Sequence, residues 1–154
     1  MIEVSKAVDL LCEINRLDLE GGDFLAQFGI GTIAREYNGI GPEYFKPKVR
    51  ALVTKHLSLF QPAAVIHDME NFMSDGSEEK FHAANRRFLA NCRKLADDKY
   101  GSSFEWLHPI RGLKRHRAYA AAKIMYEFVD SLFGWQAWMD CYDKNKKQQK
   151  GTNR

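Results

Sequence analysis

The amino-acid sequence predicts an all-α fold formed by a single helical domain. Apolar residues recur at helical spacing in several segments, and no stretch of useful length alternates between apolar and polar residues as a strand does. The chain also carries no internal repeat, which argues against a repeat architecture. With 154 residues it is long enough to bury a core of its own. We therefore expect a central antiparallel helix pair with further helices on its N- and C-terminal sides.

The N-terminal part is predicted to hold one clear helix. Residues 4–17 place apolar side chains three or four positions apart, and the pair Gly21-Gly22 follows them. Residues 24–36 are expected to be irregular or a short helix, because two glycines interrupt their apolar pattern. The stretch YNGIGPEYF, residues 37–45, is typical of a turn, since Asn-Gly, a further glycine and proline occur together.

The central helix pair is indicated by its start and stop residues. A basic amphipathic segment, residues 47–60, leads to Pro62, and proline is favoured in the first turn of a helix. Ser74-Asp75-Gly76 ends that helix, and Ser77 is a good N-cap for the next one, because its hydroxyl accepts from a free backbone N–H. One face of the second helix is expected to be buried: Phe81, Ala84, Asn85, Phe88, Cys92, Leu95 and Ala96.

The C-terminal part is predicted to hold one long helix and a tail. Residues 114–132 show helical apolar spacing, Gly134 is expected to cap this helix, and residues 135–142 form an aromatic-rich final turn or short helix. Residues 144–154 are rich in lysine, glutamine and asparagine, a composition typical of a disordered end. The domain is therefore expected to span residues 1–143, followed by a basic, disordered tail.

The run AAVIHDMENFM places a histidine and an aspartate side by side in apolar surroundings. Burying a carboxylate there is costly unless a partner such as a metal ion compensates it, so His67 and Asp68 lie either at a helix edge or at a site. Helices joined by a short turn pack antiparallel, and His67 and Asn85 lie at similar chain distances from the turn. A buried amide needs a partner. The sequence therefore predicts that His67 bonds to Asn85.

The segments NGIGPEYF, PAAVIHDMEN and DGSEEKFHAANRRFLANCRKLA resemble a family of small, mostly uncharacterised phage and prophage proteins. The family pattern is an Asn-Gly-Cys-Gly-Pro loop, an Ala-Cys-x-x-His-Asp helix and an Ala-Asp-x-x-Phe helix. That arrangement is similar to the helix pair of phospholipase A2-type enzymes. The resemblance covers residues 37–97, matches the aromatic-rich ending only loosely and does not reach residues 1–36.

The resemblance implies a calcium-assisted lipid ester hydrolase site. His67 would be the general base that activates water, and Asp68 would ligate Ca²⁺. The loop residues Asn38, Gly39 and Gly41 would supply backbone carbonyls to the ion, which takes six to eight oxygen ligands. No cofactor other than Ca²⁺ is expected.

Several departures from the family pattern weaken the catalytic interpretation. Asn85 replaces the aspartate that would orient His67, and an amide cannot offset the charge of an imidazolium. In serine proteases the analogous loss costs about 10⁴ in turnover. Asn71 replaces a tyrosine, while Ile40 and Ala64 replace cysteines. The first hypothesis is therefore a catalytically degenerate phospholipase A2-like domain that acts as an interaction scaffold, and the active hydrolase is its alternative.

A His-Asp pair is also found in metal-dependent HD phosphohydrolases, which are all-helical. That interpretation needs an upstream histidine and a downstream aspartate as further ligands, and His56 and Asp130 are the candidates. His82 lies one position off the apolar face of its helix, so we expect it to be exposed rather than a ligand.

Charge and composition set the expected partners and location. The net charge of +3 is mild, and the basic residues are expected to be surface charge, so a nucleic-acid partner is not expected. The sequence does not decide between a protein partner and a lipid partner. The aromatic residues either form core or make a lipid-facing collar around the site. No apolar run is long enough for a membrane span, and no secretion signal is evident. Three widely spaced cysteines favour a reducing cytoplasm.

Overall fold

The structure, a computed structural model, describes residues 2–37, 39–40, 53–54, 57–101 and 109–152. Within these residues the chain folds into helices and turns without a β-strand, which confirms the all-α prediction. The α-helices are α1 (Val4–Arg16), α2 (Ile30–Glu36), α3 (Gln61–Phe72), α4 (Glu78–Tyr100), α5 (Pro109–Val129) and α6 (Leu132–Thr152). Short 3₁₀ turns cover Asp23–Gln27 and Ser58–Phe60. None of the described helices combines the length and hydropathy needed to cross a membrane.

Helix α3 lies at the centre of the fold. Helices α1, α2, α4 and α6 all contact it, and its residues from Gln61 to His67 are buried together with Met69. This burial explains why the run is apolar on all sides rather than on one stripe. The core around α3 is completed by large side chains from the other helices: Ile14, Ile33, Tyr37, Phe88 and Leu95.

Helices α3 and α4 form the predicted hairpin. Helix α3 carries Pro62 in its first turn, and the Ser77 hydroxyl accepts from the Lys80 N–H at 3.4 Å at the start of α4. Gly76 has φ +79° in the connecting turn, a conformation that favours glycine. All seven residues predicted to share the buried face of α4 are buried.

A buried asparagine that sequence reasoning missed attaches α4 to the N-terminal segment. Asn91 donates to the Glu20 carbonyl at 2.9 Å and accepts from the Glu20 N–H at 2.9 Å. The pair resembles one rung of a β-ladder, and it satisfies an amide that is otherwise surrounded by core. It holds the turn after α1 against the middle of α4.

The C-terminal third differs from its prediction. Helix α5 begins at Pro109 and ends at Val129, and Gly134 lies inside α6 instead of capping α5. The Gly134 Cα packs so closely on the Val129 carbonyl that a Cβ there would overlap the carbonyl oxygen. Glycine therefore permits the tight turn that reverses the chain between the two helices.

Residues 144–152, expected to be a disordered tail, continue helix α6 instead. The reason is a contact with the α3–α4 turn: Asn145 donates to the Phe72 carbonyl at 2.9 Å and to the Ser74 carbonyl at 3.3 Å. Tyr142 packs its ring against Gly76 in the same turn. The amphipathic segment predicted over residues 47–60 lies mostly outside the described residues.

Candidate functional site

His67 and Asn85 meet across the α3–α4 hairpin. The His67 Nε2 lies 2.9 Å from the Asn85 Oδ1, so the predicted contact is confirmed. His67 is 8% exposed and Asn85 is fully buried, and the Phe88 ring packs against the imidazole. The bond therefore lies inside the core, where an unsatisfied polar group would be costly.

The surroundings of Asn85 determine which nitrogen of His67 carries the proton. The Asn85 Nδ2 donates to the Asp130 Oδ1 at 2.8 Å and to the Val129 carbonyl at 3.4 Å. Both partners are acceptors, so the amide nitrogen must face them and the amide oxygen must face His67. The His67 Nε2 is then the donor, and the neutral ring carries its proton on Nε2.

The second ring nitrogen of His67 faces two polar side chains of its own helix. Its Nδ1 lies 3.4 Å from the Asn71 Nδ2 and 3.8 Å from the Asp68 Oδ1. In the neutral ring, Nδ1 is an acceptor and takes the Asn71 N–H as a long hydrogen bond. The structure thus brings His67, Asp68, Asn71 and Asn85 together.

The pKa of His67 is raised above its ordinary value by these neighbours. Burial lowers the pKa of the ring, but the Asp68 carboxylate, the Asn85 acceptor and the charge of Glu70 outweigh that effect. The protonated ring is therefore stabilised at this position. A protonated imidazole donates from both nitrogens and does not accept a proton, so the raised pKa extends upward the pH range in which the ring cannot act as a general base.

Asp130 is a member of the site that sequence reasoning assigned only to the phosphohydrolase alternative. Besides Asn85, it accepts from the His82 Nδ1 at 2.8 Å and from the Tyr126 hydroxyl at 3.2 Å. Partial burial raises its pKa, but the hydrogen bonds from Asn85 and His82 outweigh burial and lower the pKa. His82, expected to be exposed, is half-exposed and belongs to the site through its bond to Asp130.

We use the term Asp130 network for His67, Asn85, Asp130, His82 and Tyr126. It runs from α3 through α4 to the end of α5, and it reaches His67 through the amide of Asn85. The Asn85 side chain therefore lies between Asp130 and the imidazole. If Asp130 and His67 were both ligands of one metal ion, their side chains would lie next to each other. His56, the other ligand that the phosphohydrolase alternative needs, lies outside the described residues.

An ion pair flanks the site on the side of α4. Glu70 contacts Arg87 through its Oε1, while its Oε2 is buried without a hydrogen-bond partner among the described residues. Burial raises the pKa of Glu70 and outweighs the opposite effects of Arg87 and His67. The Tyr37 hydroxyl is likewise buried and unbonded within the described part of the chain, and burial together with the charge of Asp68 raises its pKa.

The described residues supply only part of the predicted calcium ligands. Asp68 is partly exposed and Gly39 has φ +99°, whereas Asn38 and Gly41 lie outside the described residues. In the part of the chain that the structure describes, no three His, Cys, Asp or Glu side chains are grouped to hold a metal. One carboxylate and one carbonyl fall short of the six to eight oxygens that Ca²⁺ takes, so these residues alone do not complete a calcium site.

Comparison with known proteins gives no match: no protein-family model, curated protein or solved structure matches the chain. The resemblance to phage proteins and to phospholipase A2 thus depends on the sequence motifs alone. The function of the site is therefore inferred from its own geometry.

Proposed function

We propose that this chain is a catalytically degenerate phospholipase A2-like helical domain that acts as an interaction scaffold. The observation that carries the proposal is the enclosure of His67. Its ring is buried, both nitrogens face amide side chains, and its neighbours favour the protonated form. A buried, bonded imidazole stabilises the hairpin that contains it, because removing either partner leaves an unsatisfied polar group.

Other features of the chain support this assignment. The motifs of the central hairpin resemble those of phage and prophage proteins, with the supporting aspartate and tyrosine replaced by Asn85 and Asn71. Cys12 and Cys92 carry free thiols, which supports a cytoplasmic location. Large apolar side chains on the outer helices are exposed, as an interaction surface requires.

The test of the scaffold function combines stability with activity. We expect His67→Asn to lower the free energy of unfolding by about 2 kcal/mol, because the Asn85 oxygen loses its donor. The control is Ala120→Asn, an exposed change on α5, which should change stability by about 0.5 kcal/mol. Wild-type protein should release no fatty acid from phospholipid vesicles with millimolar Ca²⁺. Calcium-dependent release that His67→Asn abolishes without loss of stability would reject the scaffold function.

The alternative is a lipid ester hydrolase with His67 as general base and Asp68 as calcium ligand. One observation favours it: Asp130 fixes the proton of the neutral ring on Nε2, so the Nδ1 lone pair lies on the side of Asp68. A base needs such a lone pair near its substrate. Calorimetric titration with Ca²⁺ tests this alternative, since it requires a binding isotherm that Asp68→Asn abolishes. The absence of binding at millimolar Ca²⁺ would reject it.

A further inference from the structure

The outer surface of α5 and the start of α6 expose an unusual number of large apolar side chains. We call this surface the outer face, and it comprises Ile110, Leu113, Ile124, Phe128, Leu132 and Phe133. Its α5 members lie on the side opposite Gly112, Ala118 and Ala122, the buried residues of that helix. The outer face is therefore additional to the side that α5 uses for packing within the domain.

The exposure is greatest at the turn between α5 and α6. Leu132 is 84% exposed and Phe133 is 68% exposed, and the Phe133 ring stacks on Phe128 with centroids 6.4 Å apart. Scattered apolar residues are normal on protein surfaces, whereas exposed apolar side chains in contact, as Phe128 and Phe133 are, mark a binding surface. This turn forms an apolar projection at one end of the outer face.

Two exposed cations, Lys114 and Arg117, accompany the apolar residues of the outer face, whereas Arg115 faces into the domain and lies 3.7 Å from Asp97. Helix α5 contains five arginines and lysines but a single acidic residue, Glu127, which pairs with Lys123 at 3.7 Å. Lys114 and Arg117 are exposed between the apolar positions. Most of these cations lie in the first half of α5, at the positive end of the helix dipole, and no acidic residue occupies its first turn. An anionic partner would offset this unfavourable arrangement.

Three partners differ in how well they match this combination. A second copy of the chain would bring the same cations together, which is unfavourable. Nucleic acid would meet the cations but would leave the aliphatic side chains of Ile124 and Leu132 unused. The surface of an anionic bilayer matches both, because apolar side chains enter the boundary between headgroups and acyl chains while lysine and arginine reach lipid phosphates.

We propose that the outer face binds the surface of an anionic lipid bilayer. This inference rests on the proposed scaffold function and names its partner. The apolar projection at Leu132 and Phe133 enters the interface, and Lys114 and Arg117 bind headgroups beside it. Binding then places α5 along the plane of the bilayer, with the Asp130 network on the inner side of the helix.

Co-sedimentation of the full chain with vesicles tests the proposal. Wild-type protein should bind vesicles of phosphatidylglycerol and phosphatidylcholine about tenfold more strongly than vesicles of phosphatidylcholine alone, and high salt should weaken the binding. The double variant Leu132→Asn/Phe133→Asn should lose about tenfold in binding, as should Lys114→Gln/Arg117→Gln. Ile124→Asn, within α5 and away from the turn, provides a further test if the turn variant fails to fold.

The matched control is Val4→Asn/Val8→Asn, which removes exposed apolar side chains from α1 and should sediment like wild type. Equal binding by wild type and Leu132→Asn/Phe133→Asn would overturn the proposal. The proposal would also be overturned if binding were lost only in Lys114→Gln/Arg117→Gln and if the wild-type protein bound polyuridine RNA as strongly as it bound vesicles. If the wild-type protein does not bind vesicles, the lipid-binding proposal is rejected but the scaffold function is not. If the protein hydrolyses the vesicle lipid in a calcium-dependent reaction that needs His67, the scaffold function is rejected.

Discussion

The amide of Asn85 connects two groups that each need a different partner. Its oxygen accepts from the His67 ring, and its nitrogen donates to the Asp130 carboxylate. An aspartate at this position would present acceptors to both neighbours and would repel Asp130. At the scale of single residues, an amide at position 85 therefore fits the carboxylate of Asp130 better than a second carboxylate would.

The titration of His67 gives a prediction for stability against pH. Since the folded-state pKa lies above the ordinary value of 6.5, the protonated ring contributes stability that is complete below pH 6.5. That contribution is lost as the pH rises through the raised pKa. We expect the free energy of unfolding of the wild-type protein, measured with urea, to decrease as the pH rises from 6.5 through the raised pKa. In His67→Asn this decrease should be absent. A His67→Asn variant that retains the wild-type slope would contradict the assignment, and Ala120→Asn, an exposed change without a titratable group, is the control that should retain it.

Sequence reasoning predicted the residues of one hairpin but not their long-range partners. His67 and Asn85 were paired from their equal distances to the α3–α4 turn, and that local argument was correct. Asp130 is 45 residues beyond Asn85, and only the packing of α5 on α4 brings it to the amide. An aspartate at the end of a predicted helix carries no local signal of such a contact.

Among the helices, α6 acts as a clamp on the α3–α4 turn. Asn145 donates to two carbonyls at the end of α3, and these groups have no partner within that helix. We expect Asn145→Ala to lower the free energy of unfolding by about 1 kcal/mol and to speed amide hydrogen exchange in residues 144–152. Lys147→Ala, an exposed change on the same helix, is the control. Exchange in this segment that is as fast in wild type as in the variant would show that the clamp does not form.

The turn between α5 and α6 makes a second prediction at this scale. Gly134→Ala should destabilise the protein by about 2 kcal/mol or more, since the new Cβ overlaps the Val129 carbonyl and forces the turn open. Gly31→Ala is the matched control, because Gly31 lies in helix α2 and an added methyl group there would meet open space. There we expect a gain of about 0.5–1 kcal/mol from the higher helix propensity of alanine. Thermal unfolding should show a lower melting temperature for Gly134→Ala and a higher one for Gly31→Ala. Equal shifts in the two variants would contradict the close approach at Gly134.

The quality of prediction differed among elements for a physical reason. Pro62 and Ser77 are local start signals, so the beginnings of α3 and α4 could be placed from sequence. The lysine-rich end of α6 has the composition of a disordered segment, and its helical order depends on Asn145 contacting a turn about 70 residues earlier. Elements with local signals were predictable, and those held by distant contacts were not.

Across the whole molecule, the Asp130 network joins three helices that also contact one another through apolar packing and through the Glu70–Arg87 and Tyr119–Asp97 pairs. His67 lies on α3, Asn85 and His82 lie on α4, and Tyr126 and Asp130 lie on or beside the end of α5. The same turn after Asp130 carries the apolar projection of the outer face. The network thus links the centre of the fold to the surface that we propose for binding.

The most direct test of the Asp130 network is an exchange of the amide and the carboxylate, measured as the free energy of unfolding at pH 7. Asn85→Asp alone should cost about 2 kcal/mol or more, because it places two carboxylates in contact. The double variant Asn85→Asp/Asp130→Asn restores one carboxylate and one amide and should regain most of that loss. The single variant Asp130→Asn gives the second loss in stability. If the loss in the double variant equals the sum of the losses in the two single variants, Asn85 and Asp130 are not coupled, and the network does not hold the three helices together.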